Sequence, residues 1–599
     1  MTAERTFTTH EIRRQTCLDG IWDFQPVAFD ASDANPRAQA EPSWLTGDRD
    51  PRQAPSWQAE PTDPSHPLPT RYTEQAVVPS CWQTDGRHAG AYRGQAAYRR
   101  EVVIDHPCNI RLVFKGVSHT ARVFWDGAPV AFHYNAYTAF DLLLAGVAPG
   151  RHRLEVLVDN RFSEDSLLHV PNDYFTYGGI IRPVFMEEVP DLYLEGVGCR
   201  IRHGQGGWTA RIEVEVRSCS PLPRTADLVC ELAGRRAEVR GLALLAGVRR
   251  KLCLRMDFTD GQVLPWDPES PVLYPLKVTL EGPGAAGDDL IDRVGFRTVG
   301  LVGGRVGING RPVLLRGVNR HEDHPSFGPA IPLSVMDQDL KLIADAGCNA
   351  VRTSHYPNDE RFLDLCDERG ILVWEESHAR DGDEARITNP LFVRQSLDCA
   401  GQMVRQHMNH PSIVIWGCLN EAASNRPGAV GVFRSHMELF GRDDTRLHTF
   451  ASRNLDDDLC QRMVDISAFN IYPGWYDRRS PEQMVDAIAG RLDACGPEGR
   501  PLIVSEFGGD GLYGLHDPGR GRWSEEYQGD LVADVAARLM ALPRVAGLFV
   551  WQFCDCRVDP EWETGWPQTR PGLKNTKGLV DGWRRPKEAY RRLKDLWGR

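Results

Sequence analysis

Near Gly300 the spacing of apolar residues changes, and this change limits the possible folds more than any other feature of the chain. From Gly20 to about Pro190, short alternating runs are cut by Gly, Pro and Asp turns: REVVI at 100–104, IRLVF at 110–114, ARVFWDG at 121–127 and HRLEVLV at 152–158. Alternation with period two bounded by turn residues is the mark of half-buried strands, so a β-sandwich is expected here. A second β-rich stretch (208–218, 226–233 and 273–282) has the length of one immunoglobulin-like sandwich, with Arg293–Arg297 as its closing strand. Beyond Gly300, strands alternate with helices, which implies βα units and a parallel sheet. Strands are expected at 313–320, 349–354, 371–375, 413–417, 446–451, 465–472, 502–505 and 547–553. Eight such strands make a TIM barrel, whose chemistry sits at their carboxyl ends. Among the helices, Ser334–Ala346 is expected to start on Ser334 as N-cap; another lies near Asp359–Arg369, and a long one follows Pro390.

The length of 599 residues calls for several domains, which we place at 1–190, 191–297 and 298–599. A net charge of −12 leaves no basic footprint, so neither nucleic acid nor an anionic membrane is expected as partner. No run approaches the ~18 apolar residues of a membrane span, and the first residues, MTAERTFTTHEIRRQ, contain no apolar leader core. Fifteen cysteines without a C-x-x-C spacing fit a reducing cytoplasm. The runs His321-Glu-Asp-His324 and Glu375-Glu-Ser-His378 lack metal-site spacing, and Cys554-Asp-Cys556 lacks partner pairs, so neither metal nor cofactor is expected.

The polar residues at the expected strand ends are acidic. The fourth strand runs into Asn420-Glu421 and the seventh into Glu506. Hydrolysis of an equatorial glycoside with retention needs one carboxyl to protonate the leaving oxygen and a second, about 5–5.5 Å away, to attack the anomeric carbon. A single strand-end glutamate is ordinarily a solvated or ion-paired side chain. Two across one barrel mouth suit this pair of roles.

The chain resembles glycoside hydrolase family 2 over nearly its whole length. The resemblance rests on Leu18-Asp-Gly-Ile-Trp22, Tyr177-Gly-Gly-Ile-Ile-Arg182, Val294-Gly-Phe-Arg297, Arg316-Gly-Val-Asn-Arg320-His321-Glu322, Val351-Arg352-Thr-Ser-His355-Tyr356-Pro357, Asn409-His-Pro-Ser412 and Asn420-Glu421. It implies a jelly-roll sugar-binding-like domain, an immunoglobulin-like domain and a catalytic barrel. It makes Glu421 the acid/base, Glu506 the nucleophile and Asn420 the donor to the sugar 2-hydroxyl. The stretch Asn575-Thr-Lys577-Gly resembles the N-x-K-G pattern by which β-glucuronidases of the family hold the substrate carboxylate. Charge-assisted hydrogen bonds of that kind contribute roughly 1.5–3 kcal/mol each. Asn470-Ile-Tyr472-Pro-Gly-Trp-Tyr476 resembles a sixth-strand motif lining the sugar site, with a tyrosine steadying the nucleophile, and Asn172-Asp173-Tyr-Phe175 a jelly-roll loop whose aspartate binds sugar hydroxyls. Trp551 is expected to floor the sugar subsite. His355 is assigned to the substrate site, where it and Arg352 brace the carboxylates rather than react.

The expected function is therefore retaining exo-hydrolysis of terminal β-D-glucuronides, small or oligosaccharide, by a homo-oligomer, dimer or tetramer. Two features depart from the glucuronidase pattern. The loop between Glu376 and Asn389 is short, implying an open mouth, and Arg570 stands one residue away from the place some relatives give an arginine before N-x-K. A β-galacturonidase or β-galactosidase of the same mechanism is the alternative, and a carbohydrate-binding protein without turnover the alternative of another class.

Overall fold

The computed structural model describes residues 8–28, 60–61, 68–84, 92–282, 287–494, 500–562 and 570–598, so the first seven residues of the N-terminal reading lie outside it. The N-terminal sandwich packs a four-stranded sheet, built on Cys108–Phe114 and Val184–Val189, against a seven-stranded sheet built on Gly20–Ala28, Gln95–Ile104 and Gly150–Asp159. Its inner faces bury Trp22, Phe24, Tyr98, Leu112, Phe114, Leu154 and Val156. Three of the four expected strands fall inside observed ones; the run at 121–127 overruns the strand Thr120–Trp125 by its Asp-Gly turn.

The middle sandwich joins a three-stranded sheet (Leu192–Gly204, Gly207–Ser218, Arg249–Thr259) to a four-stranded one (Arg235–Leu244, Arg224–Leu232, Tyr274–Glu281, Asp288–Val294). Along Gly207–Ser218, Trp208, Ala210, Ile212, Val214 and Val216 point to the core and their neighbours outward, the period-two pattern that fixes register. The closing strand ends at Val294 rather than Arg297. The reason is a competing set of partners: Phe296 is buried in the sandwich core, and the Arg297 guanidinium donates to the carbonyls of Pro411, Thr445 and Ile413 on the barrel.

The C-terminal barrel contains β1 (Leu315–Arg320), β2 (Ala350–Thr353), β3 (Leu372–Glu376), β4 (Ile413–Gly417), β5 (Leu447–Thr449), β6 (Ser467–Asn470), β7 (Leu502–Phe507) and β8 (Val545–Val550). They form one parallel sheet in the order β5-β4-β3-β2-β1-β8-β7-β6. Ser452 closes the ring: its amide donates to Ala468 O (3.0 Å) and its carbonyl accepts from Asn470 N (2.8 Å). The strands are buried on both faces, as parallel barrel strands must be. Leu315, Trp374, Ile415, Ile503 and Phe549 fill the lumen.

Between the strands, α1 (Leu333–Asp345) begins one residue before the expected cap. Pro332, with φ −62°, presets the first turn, so Ser334 lies inside the helix and caps nothing. The next helix, α2 (Glu360–Arg369), is capped by Asp359 and ended by Gly370 at φ 67°, where a Cβ would come within 2.0 Å of Pro268 O. The long helix α3 (Pro390–His407) is capped by Asn389, with proline at its first position.

Candidate active site

Arg352, at the end of β2 and fully buried, is the centre of the site. Its Nε and Nη2 reach Glu376 Oε2 (2.8 and 2.7 Å), its Nη1 donates to Asn319 Oδ1 (2.9 Å) and Glu506 Oε1 (2.8 Å), and its Nη2 donates to Asn420 Oδ1 (2.8 Å). One planar guanidinium thus sets the positions of three strand ends, a geometry a lysine could not reproduce.

Glu506 ends β7 and accepts a second hydrogen bond from the Tyr472 hydroxyl at 2.7 Å. Burial pushes its carboxyl above the usual range, and Arg352 and the two hydrogen bonds oppose that rise by favouring the ionised form. Gly508 follows at φ 155°, and a Cβ there would lie 2.5 Å from Trp551 O, so only glycine lets the chain leave β7 this close to Trp551.

Glu421 lies beyond β4 on a backbone that is left-handed at Leu419 (φ 49°) and again at Glu421 (φ 53°). Such conformations cost of order 1–3 kcal/mol each for residues with side chains and concentrate at functional sites. The Glu421 amide is anchored on Ala451 O (2.9 Å), and its carboxylate accepts one hydrogen bond, from Asn470 Nδ2 at 2.8 Å. Burial first, then the negative charges of Glu506 and Asp381, push its carboxyl up to about 7. The two glutamates therefore differ in their partners: a cation and a phenol for Glu506, a single amide for Glu421.

Asn470, at the end of β6, is held by the Ser505 hydroxyl on its Oδ1 (2.7 Å) and also donates to Asn420 Oδ1 (3.2 Å). With that oxygen occupied by Arg352 and Asn470, the amide nitrogen of Asn420 is the group turned away from the protein network. His355 is kept neutral by burial; its Nδ1 meets Glu376 Oε1 at 2.9 Å, and its ring stacks on Trp551 at 5.1 Å. Arg352 and His355 both contact the Glu376 carboxylate, and Trp551 is buried against both His355 and His321.

The remaining expected residues form a second group. Asp173, from the N-terminal sandwich, pairs with Arg570 and accepts from Asn575 Nδ2 at 2.9 Å. Arg570 also donates to the Tyr476 hydroxyl (2.8 Å). Lys577, 1% exposed, lies 2.5 Å from Asp510 Oδ2 and over the rings of Tyr476 and Trp475. Tyr476 is half exposed, its ring 5.1 Å from that of Tyr472, so the second group adjoins the nucleophile through two tyrosines.

The sequence reading gave no site role to Asn319, Asp381 or Asp510, and named Glu376 only within a dismissed metal run and as one end of the short loop to Asn389. Each lies at or just past a barrel strand end, which was the available signal; what they touch depends on other strands. The dismissed runs are engaged in protein contacts: Glu322 with Arg182, Asp323 with Tyr177, Glu375 with His407 and Glu376 with Arg352. Fourteen cysteines are free thiols among the described residues. No described helix is long and apolar enough to cross a membrane. A cavity of about 630 Å³ opens at the far end of the barrel, beside Ser467 and Leu502 at the start of β6 and β7, away from these carboxylates.

Comparison with known proteins agrees with this geometry. Residues 16–190 match the sugar binding domain of glycosyl hydrolases family 2, and residues 299–599 match its TIM barrel domain. Among solved structures, a family 2 β-galacturonidase from Eisenbergiella tayi, bound to galacturonate, superposes with a TM-score of 0.86 at 38% identity, covering 99% of this chain and 99% of that one. Human β-glucuronidase is 26% identical over 632 residues, 97% of this chain and 90% of that protein. The β-glucuronidase of Paenibacillus borealis is 24% identical over 624 residues, 97% and 96% of the two chains. With carboxylates, arginine hub and barrel in place, the chain belongs to glycosyl hydrolase family 2 and is a glycoside hydrolase.

Proposed function

We propose that this enzyme is a retaining exo-β-glycosidase that releases terminal β-linked uronic acids, with galacturonide preferred and glucuronide second. The observation that carries the uronide reading is the burial of two cations, Arg570 and Lys577, in one group beside Tyr476, Tyr472 and Glu506. A neutral sugar offers such cations only hydroxyl acceptors, whereas a C6 carboxylate adds the opposite charge. The sequence favoured glucuronide. The likeness at 38% identity to a galacturonidase, against about a quarter for the glucuronidases, moves the preference to the 4-epimer.

In this reading Glu506, ionised by Arg352 and Tyr472, attacks the anomeric carbon, while Glu421 gives its proton to the leaving oxygen. The Asn420 amide meets the sugar 2-hydroxyl, a contact that tightens as positive charge develops. Glu421 then takes a proton from water as that water displaces Glu506. Asp173 and Asn575 line the sugar's far edge, and Trp551 lies under its apolar face.

The test is kcat/KM for p-nitrophenyl β-galacturonide, β-glucuronide, β-galactoside and β-glucoside, with NMR of the first anomer released. Uronide preference that Lys577→Ala abolishes, with β-anomer formed first, supports the proposal. A galactoside preference indifferent to Lys577→Ala refutes the uronide reading, and an α-anomer formed first refutes retention.

A further inference from the structure

The carboxylate-reading group contains its own carboxylates. Arg570 faces Asp173, and Lys577 faces Asp510, a fully buried residue four positions beyond Glu506 on the segment leaving β7. Asp510 Oδ1 accepts from both the backbone N (3.0 Å) and the hydroxyl (2.8 Å) of Thr576, the residue just before Lys577, and its Oδ2 lies 2.5 Å from Lys577 Nζ. One side chain thereby grips both the backbone and the ammonium of the N-x-K segment and ties them to the nucleophile's strand.

Resting on the uronide reading above, we infer that Asp510 is a positioning residue for substrate selection: it holds Lys577 charged and pointed at the C6 carboxylate. Two physical needs meet in it. An ammonium taken out of water loses its proton unless a counter-charge holds it, and here burial acts against the charge while Asp510 restores it. A lysine stem is also flexible, and its rotamer freedom must be removed before it can read a substrate group. The ammonium has three donors. Its close contact with Asp510 lacks hydrogen-bond angles, so among the described residues Nζ has no hydrogen-bond partner, and the ring faces of Tyr476 (4.9 Å) and Trp475 (5.6 Å) lie beside it. We assign those donors to the C6 carboxylate oxygens.

The experiment is a double-mutant cycle of Asp510→Asn and Lys577→Ala, read as the ratio of kcat/KM for the preferred uronide to that for its neutral counterpart. Asp510→Asn is expected to lower this ratio at least tenfold, chiefly through the uronide KM, and to lower it no further once Lys577 is alanine. Thr576→Val removes only the hydroxyl donor to Asp510 and should lower the ratio two- to fivefold; it gives the same reading if Asp510→Asn does not accumulate. Equal losses on both substrates through kcat, or equal effects in both Lys577 backgrounds, overturn the inference while leaving the uronide assignment standing. A wild type indifferent to the C6 carboxylate overturns the assignment and the inference with it.

Discussion

Arg352 pairs directly with Glu506, whereas Glu421 accepts from a single amide, and this difference supports the roles proposed for the two. A carboxylate facing a guanidinium and a phenol is held ionised; one facing a single amide and two negative neighbours keeps its proton near neutral pH. Activity should fall as pH rises through about 7, where Glu421 loses its proton, and fall again on the acid side as Glu506 gains one; a profile of kcat/KM flat between these limbs and beyond would contradict both assignments. Glu421→Gln should cost roughly 10²–10⁴ in kcat/KM on an alkyl uronide and far less on a dinitrophenyl one, whose leaving group needs no proton. The same substitution changes stability with a definite sign. A folded pKa above the unfolded value means stability is lost as pH rises toward it, so removing the carboxyl should raise Tm at pH 8 by about 1–3 °C and change little at pH 4. Thermal scans of the two proteins at both pH values check this.

At the scale of elements, strand ends and caps carry the information. Asn389 caps α3 through Leu391 N (2.9 Å) at an exposed site remote from the carboxylates, so Asn389→Ala should cost about 1 kcal/mol in denaturant unfolding and leave kcat unaltered. Gly508 is the opposite kind of position. Gly508→Ala forces a Cβ against Trp551 O, displacing the floor of the site and the nucleophile's neighbour, and should lower kcat/KM at least tenfold; wild-type kinetics would show that the loop yields freely. All eight barrel strands and the main helices were legible from period and punctuation, because parallel strands buried on both faces leave long apolar runs between helices. The cap at Ser334 was misplaced because the helix already starts after Pro332, and the strand at Arg293–Arg297 because Phe296 and Arg297 obey partners far away in sequence.

Across the whole molecule, the N-terminal sandwich reaches the barrel's candidate site through Asp173, which contacts Arg570 and Asn575. Arg182 is one of the docking residues: its guanidinium donates to Glu322 Oε2 and Pro357 O of the barrel and to Tyr137 O of its own sandwich, each at 2.8 Å. Arg182→Met would strand Glu322 as a buried charge, at about 3–5 kcal/mol, and loosen the loop that brings Asp173 to Arg570. Calorimetry should then show a lower transition, accompanied by a higher uronide KM; unchanged values of both would mean that the sandwich docks by other contacts.

The sequence alone was sufficient for the architecture, because strand period and turn residues are local signals, and it singled out the two glutamates as candidates, because strand-end acids, the N-x-K segment and the Asn-Glu pair stand in recognisable order. Only the tertiary structure decided which charges face each other. Asn319, Glu376, Asp381 and Asp510 come from the ends of β1, β3 and β7 or the loops that follow them, and the pairings Arg352–Glu376, Asp173–Arg570 and Lys577–Asp510 span 24 to 397 residues of chain. Electrostatic partners at such separations are set by barrel closure and domain docking, and no local pattern in the chain encodes them.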